Sequence, residues 1–66
     1  MIPWEFEYEL DGHKTYVTVL QKFKQHYTGE YIYRIRCEHD DGDIDELLRT
    51  ERQMKKLLTF RVEVEE

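Results

Sequence analysis

The chain has 66 residues, of which ten are Lys or Arg and fifteen are Asp or Glu, so its formal charge is −5. This length allows one domain, residues 1–66, and leaves little material for the walls of a substrate pocket. Ser is absent, which excludes a serine nucleophile, and no apolar run approaches the roughly 18 residues of a membrane span. The single cysteine and the lack of a signal-peptide pattern predict a cytoplasmic protein with no membrane contact.

An alternating pattern opens the chain and predicts strand 1. Apolar residues at the even positions from 2 to 10 alternate with glutamates, which is the period of a half-buried strand. The next pair, Asp11-Gly12, suits a two-residue type I′ turn, in which both residues need a positive φ. This turn predicts a hairpin in which Phe6 faces Val17, so that apolar residues meet across the two strands.

Two further alternating segments predict strand 2, at about 14 to 25, and strand 3, at 31 to 38. A three-residue loop at 27–29, with its glycine in the left-handed conformation, places Phe23 on the same face as Tyr33, whereas a two-residue turn does not. This loop sets the register of the second hairpin. The register pairs Phe23 with Tyr33, Val19 with Cys37, Gln21 with Ile35, and Lys22 with Arg34.

The acidic segment after strand 3 predicts a helix. Asp43 and Glu46 form a capping box ahead of apolar residues at 44, 47 and 48, so the helix is expected from about 43 to about 56. The alternation of Leu58, Phe60, Val62 and Val64 then predicts a short strand 4 from about 58 to 65. No Gly or Pro separates the two elements, so a continued helix stays open as an alternative.

Together these elements predict an α+β fold of order β-β-β-α-β, a three-stranded antiparallel meander followed by one helix and a short C-terminal strand. The helix is expected to pack on one face of the sheet, which carries Trp4, Phe6, Val17, Phe23, Tyr33 and Ile35. Strand 4 is expected parallel to strand 3, where its charges complement Arg34 and Arg36, which leaves strand 1 with Pro3 at the edge. The element order is similar to that of chromodomain-like and SH3-like modules, a resemblance that implies no function.

Metal and catalytic sites are not predicted. Cys37, His39, Asp41 and Asp43 alternate along the chain, but structural zinc sites usually contain paired cysteines. An EF-hand alignment on Gly42 fails because residue 48, a leucine, would stand where a carboxylate is needed. Cys37 and His39 lack a neighbouring glycine turn that could stabilise an oxyanion, so Cys37 is predicted to be a buried thiol. We therefore expect no catalytic residue and no cofactor.

Two charged surfaces are the candidate sites. The acidic surface, expected to bind another protein, comprises Asp40, Asp41, Asp43, Asp45 and Glu46. The basic surface lies on the outer face of strands 2 and 3 and would bind nucleic-acid phosphates, with a tyrosine to stack on bases. Its residues are Lys22, Lys24, Arg34, Arg36 and Tyr16. A net charge of −5 opposes phosphate binding and favours the acidic surface.

The sequence thus favours a small acidic module that is not an enzyme and acts through protein–protein interaction, as an inhibitor or adaptor. Nucleic-acid binding is the alternative. The expected partner is another protein, bound through the acidic surface or at an open sheet edge, and this second mode includes a homodimer.

Overall fold

The computed structural model describes residues 2–62, which form four strands and one helix. The elements are β1 (Glu5–Leu10), β2 (His13–Lys24), β3 (Tyr31–His39), β4 (Ile44–Thr50) and α1 (Glu51–Leu58). The strands form one antiparallel sheet in the order β1-β2-β3-β4, and α1 packs on one side of it. We call the side under α1 the inner face and the opposite side the outer face. The α+β class is confirmed, whereas the order of elements is β-β-β-β-α.

The first hairpin forms as predicted. Asp11 and Gly12 adopt φ values of 53° and 79°, the positive pair that a type I′ turn requires. Phe6 faces Val17 on the inner face, and both side chains are buried. Local turn chemistry and alternation are therefore sufficient to determine this half of the sheet.

The second hairpin has a longer loop than the sequence predicts. Its glycine, Gly29, adopts the expected left-handed φ of 71°. The Gln25 N–H donates to the Glu30 carbonyl at 2.8 Å, however, so the turn consists of residues 26–29 rather than 27–29. The extra turn residue shifts every pair next to the loop.

A β-bulge at Leu20 then changes the register a second time, and the predicted pairs of strands 2 and 3 are wrong. The observed pairs are Lys22 with Tyr33, Phe23 with Ile32 and Gln21 with Arg34 on the loop side, and Val19 with Ile35 and Val17 with Cys37 beyond the bulge. Without the bulge, the longer loop would turn Val17 and Val19 away from the core. A further effect of the bulge is that Phe23 lies on the outer face and Lys22 on the inner face.

The acidic segment after β3 forms a hairpin and a strand, so the predicted helix start at Asp43 is wrong. Gly42 adopts a φ of 94°, and its N–H donates to the His39 carbonyl at 3.0 Å. The Asp41 carboxylate accepts a hydrogen bond from the Asp43 N–H at 3.0 Å, which closes the turn. Ile44–Thr50 then pairs with β3 because this pairing satisfies the backbone groups along that side of β3.

The helix begins at Glu51, directly after the strand. Thr50 ends β4 and is also the N-cap of α1, with its hydroxyl accepting from the Gln53 N–H at 3.2 Å. The Thr50 N–H donates to the side chain of Gln53 at 2.9 Å, which completes a capping box. The helix ends at Leu58, near the predicted end, with two lysines in its last turn as the helix dipole favours.

After the helix the chain returns along β1, on the opposite edge of the sheet from the position predicted for strand 4. The Glu9 N–H donates to the Phe60 carbonyl at 3.1 Å, and the Val62 N–H donates to the Glu7 carbonyl at 2.8 Å, around an antiparallel bridge at Arg61. The predicted parallel pairing with strand 3 is wrong because β4 occupies that position. The remainder of the predicted strand lies outside the described residues.

The core lies between the inner face and α1. It consists of Phe6, Val17, Val19, Tyr33, Ile35, Cys37 and Met54. Two residues predicted for the core lie elsewhere: Phe23 is on the outer face, and Trp4 is 67% exposed. An eight-residue helix spans only about 12 Å, and this short cover leaves Trp4 in contact with solvent.

The position of the helix start can be tested by removing each candidate N-cap side chain. Thr50→Ala is expected to lower the free energy of unfolding by about 1 kcal/mol, because the Gln53 N–H loses its acceptor. Asp43→Ala is the matched control and is expected to change it by less than about 0.5 kcal/mol. Urea denaturation of both variants measures the difference, and a larger loss for Asp43→Ala would contradict a helix that begins at Glu51.

Candidate functional site

The acidic residues predicted to form one partner-binding surface are separated by the hairpin between β3 and β4. Asp40, Asp41 and Asp43 lie in the turn, whereas Asp45 and Glu46 lie on β4. Adjacent residues of a strand project from opposite faces, so Asp45 belongs to the inner face and Glu46 to the outer face. The structure therefore distributes these carboxylates over a turn and two faces of the sheet.

Three of these carboxylates have partners within the domain. The pairs are Asp40 with His13 at 3.3 Å, Asp45 with His39 at 3.1 Å, and Glu46 with Arg34 at 3.1 Å. In each pair at least one side chain is more than half exposed, so each pair contributes little to stability. Their main effect is to direct the carboxylates towards groups of the chain itself.

The bulge divides the residues of the predicted basic surface between the two faces. Arg34 and Arg36 lie on the outer face, whereas Lys22 and Lys24 pair with inner-face tyrosines. The two arginines also have acidic neighbours: Arg34 bonds to Glu46, and Arg36 Nε lies 3.6 Å from a Glu38 oxygen. The predicted continuous basic face of strands 2 and 3 is therefore wrong. Nucleic-acid binding stays a prediction, but the surface on which it was based is divided between two faces.

Tyr16, the proposed base-stacking residue, lies among carboxylates on the outer face. The carboxylate of Glu5, as a hydrogen-bond acceptor for the phenol, is the main cause that raises the pKa of Tyr16 above its ordinary value. The charges of Glu38 and Glu7 raise that pKa further. An anionic surrounding of this kind repels phosphate rather than attracting it.

The outer face carries a groove that the alternation in the sequence does not predict. Phe23, Ile32 and Leu48 from three adjacent strands form its apolar floor, and its volume is ≈ 240 Å³. Its other lining residues are Gln25, Arg49, Thr50 and Gln53. We call this set the outer groove. Gln53 is its one lining residue from α1, and Leu48 is 56% exposed.

The outer groove borders the outer side of β4, by which we mean the edge of this strand that faces away from β3. No described strand pairs there. The His39 N–H donates to the Asp43 carbonyl at 2.8 Å, so odd-numbered residues of this segment point their backbone groups towards β3. Because backbone direction alternates along a strand, Ile44, Glu46 and Leu48 point theirs away from the sheet. β4 contains no Pro, Gly or Lys, which are residues that commonly protect a strand edge from pairing.

A second concave region lies on the inner face beside the exposed Trp4. The ammonium group of Lys22 lies 4.3 Å from the ring centroid of Tyr31 and 5.7 Å from that of Tyr33. Such contacts are favourable cation–π interactions. The same lysine also lines a cavity of ≈ 150 Å³ with Ile2, Trp4, Val19 and Tyr33. The faces of these two aromatic rings are therefore already occupied by the ammonium group of Lys22.

Cys37 is buried in the core, and the ring of His39 contacts two side chains. Cys37 is buried, as predicted, and burial raises the pKa of its thiol above the ordinary value. The Nε2 atom of His39 donates to Asp45 at 3.1 Å, and its Nδ1 atom lies 3.1 Å from the Thr15 hydroxyl. Among the described residues, no three His, Cys, Asp or Glu side chains form a group that could hold a metal ion.

No family model, curated protein or solved structure matches this chain. Within residues 2–62 no helix is long and apolar enough to cross a membrane. The functional inference therefore depends on the outer groove and on the adjoining side of β4.

The raised pKa of Cys37 predicts a pH dependence of stability. Burial is its main cause, the charge of Arg49 opposes the shift, and Asp45 adds to it. The unfolded thiol ionises first as the pH rises past its ordinary pKa of about 8.5, so stabilisation by the neutral buried thiol is present below this pH and lost above it. Relative to Cys37→Ala, the wild-type chain should therefore lose stability over the pH range above about 8.5.

Urea denaturation of both proteins across this pH range measures the effect. Subtracting the variant removes every pH-dependent contribution that the two proteins share. A difference in stability that stays constant with pH would show that the thiol titrates alike in the folded and unfolded chains.

Proposed function

We propose that this chain is a non-catalytic protein-binding domain that receives an extended segment of another polypeptide along β4. The observation that supports this proposal most directly is the outer side of β4, which presents backbone groups that no described strand pairs, beside an apolar groove. Strand addition of this type obtains affinity from backbone hydrogen bonds and specificity from pockets for alternate side chains.

The exposed apolar residues support the same location. Ile44 and Leu48 are 62% and 56% exposed, and both lie on the outer face of β4. Phe23 and Ile32 extend the apolar surface onto β2 and β3, next to Leu48. Contiguous exposed apolar residues on a small domain commonly mark an interaction surface. A strand bound along β4 would place alternate side chains over this surface.

The acidic residues contribute to this proposal in a different way from the one the sequence suggests. The turn carboxylates of Asp40 and Asp41 have local hydrogen-bonding roles. Asp45 and Glu46, in contrast, lie on the strand that would receive the partner. Their charges would select the register and the charge pattern of the incoming strand, since opposite charges across a strand pair are favourable and like charges are not.

The proposed surface can be tested with Leu48→Glu. A buried carboxylate in the outer groove would be desolvated when a partner strand covers it, so affinity for a partner should fall by about ten-fold or more. Tyr27→Glu makes the same kind of change at a side chain that is 97% exposed in the loop between β2 and β3. It is expected to change affinity by less than about two-fold.

The measurement uses immobilised wild-type chain to select binders from a library of extended peptides, followed by titration of each binder against both variants. Backbone amide exchange then locates the contact: the N–H groups of Glu46 and Leu48 should exchange more slowly in the complex. Equal loss of binding in Leu48→Glu and Tyr27→Glu, or unchanged exchange along β4, would contradict the proposed surface.

A further inference from the structure

We infer that the strand which best fits β4 is the β4 of a second copy of this chain, in a two-fold symmetric dimer centred on Leu47. This inference rests on the proposed function, because it names an occupant for the same side of the sheet. It is supported by the backbone direction of β4, by its charge order and by the position of its exposed apolar residues.

Backbone direction limits the registers in which two copies can pair. The outward-pointing backbone groups of β4 belong to even-numbered residues, so even positions must face even positions in an antiparallel pair. In a two-fold arrangement one residue faces itself, and the middle of β4 offers Glu46, Leu47 or Leu48 as that centre. Each choice gives a different set of charge contacts.

The registers are compared over the residues of β4 itself, since Asp43 lies in the preceding turn and Glu51 begins α1. A centre at Glu46 sets this carboxylate against the same carboxylate of the second copy, which is unfavourable. A centre at Leu48 brings no opposite charges together within β4. A centre at Leu47 instead sets Asp45 against Arg49 of the second copy, and the symmetry repeats this favourable contact. The charge order of β4 is therefore complementary to itself in one register.

The side chains are placed to form these contacts. Residues 45 and 49 would be non-hydrogen-bonded pairs, in which Cα atoms lie only about 4.5 Å apart and side chains are close. The Arg49 guanidinium is already at the outer side of β4, where it donates to the Leu48 carbonyl at 2.9 Å. One oxygen of Asp45 accepts from His39, which leaves the other to accept from arginine.

Pairing would also satisfy the backbone of the strand. Glu46 and Leu48 face each other in this register, so their N–H and C=O groups exchange hydrogen bonds at two symmetric places. The Leu48 carbonyl would then accept from the Glu46 N–H of the second copy. The Arg49 guanidinium, released from that carbonyl, would turn to Asp45 of the second copy.

The same register covers exposed apolar surface. Ile44 of the second copy would face Thr50, which lines the outer groove beside Leu48. Ile44 is 62% exposed in the single chain, and this position would bring it to the margin of the groove. Leu47 would contact its own copy across the symmetry axis on the inner face. The outer groove thus gains its occupant from the strand that adjoins it.

Charge reversal on β4 tests the dimer. Sedimentation of the wild-type chain over about 1 to about 500 μM should show a reversible change from the 8.2 kDa monomer to twice that mass. Asp45→Arg and Arg49→Asp each convert both symmetric contacts into like-charge pairs, so each should weaken dimerisation by about ten-fold or more. The double variant Asp45→Arg/Arg49→Asp restores opposite charges in reversed order and should dimerise like the wild type.

Mixing the two single variants provides the decisive comparison. One chain then carries arginines at positions 45 and 49, and the other carries aspartates, so both contacts regain opposite charges in a mixed dimer. A mixed dimer from two chains that are monomeric alone supports the register centred on Leu47. Circular dichroism of each single variant establishes that it is folded before mixing, and Lys55→Glu, on the exposed side of α1, is a charge-reversal control expected to leave dimerisation unchanged.

Three outcomes would overturn the inference: a wild-type chain that is monomeric throughout the concentration range, single variants that dimerise as the wild type does, or folded single variants that do not associate when mixed. Any of these outcomes leaves the proposed function open to its own test, since a peptide strand that Leu48→Glu rejects would still define β4 as a binding surface. Loss of that peptide selectivity together with charge-dependent dimerisation would instead restrict β4 to self-association.

Discussion

The bulge at Leu20 determines which face of the sheet the side chains of β2 between the bulge and the β2–β3 loop occupy. The bulge lets Val17 and Val19 reach the core although the loop beyond them is one residue longer than alternation requires. The same reversal turns Phe23 to the outer face, where it forms part of the outer groove, and turns Lys22 to the inner face over two tyrosine rings. The core, the groove and the division of the basic residues are thus consequences of one local irregularity.

The two edges of the sheet are treated differently by the chain. On the β1 side, the segment that follows α1 supplies hydrogen bonds at Glu7 and Glu9. On the β4 side no described segment does so, and the strand there has neither proline nor lysine to discourage pairing. Alternating glutamates along β1 would repel a second β1, whereas β4 contains both signs of charge in an order that suits its own reverse. Electrostatics therefore distinguish the two edges as well as hydrogen bonding does.

Local signals in the sequence were sufficient for the first hairpin, the α+β class, the buried cysteine and most of the core. They were insufficient where a tertiary requirement competes with a local pattern. Spacing of apolar residues at 44, 47 and 48 suits a helix, but the unsatisfied side of β3 draws this segment into the sheet. The Asp41-Gly42 pair resembles the turn pair at 11–12 and was the available signal for a second hairpin. The bulge had no such signal, so the outer groove could not be located from alternation alone.

The junction at Thr50 joins the edge strand to the helix without a linker. Thr50 is both the last residue of β4 and the N-cap of α1, and its backbone N–H, which points away from β3, is held by the side chain of Gln53 in the first helical turn. Motion that peels β4 from its neighbour must therefore also unwind the start of α1 and disturb the packing of Met54. A strand bound along β4 would therefore also stabilise α1, which covers the core. Binding at this edge would slow the local opening of the interior.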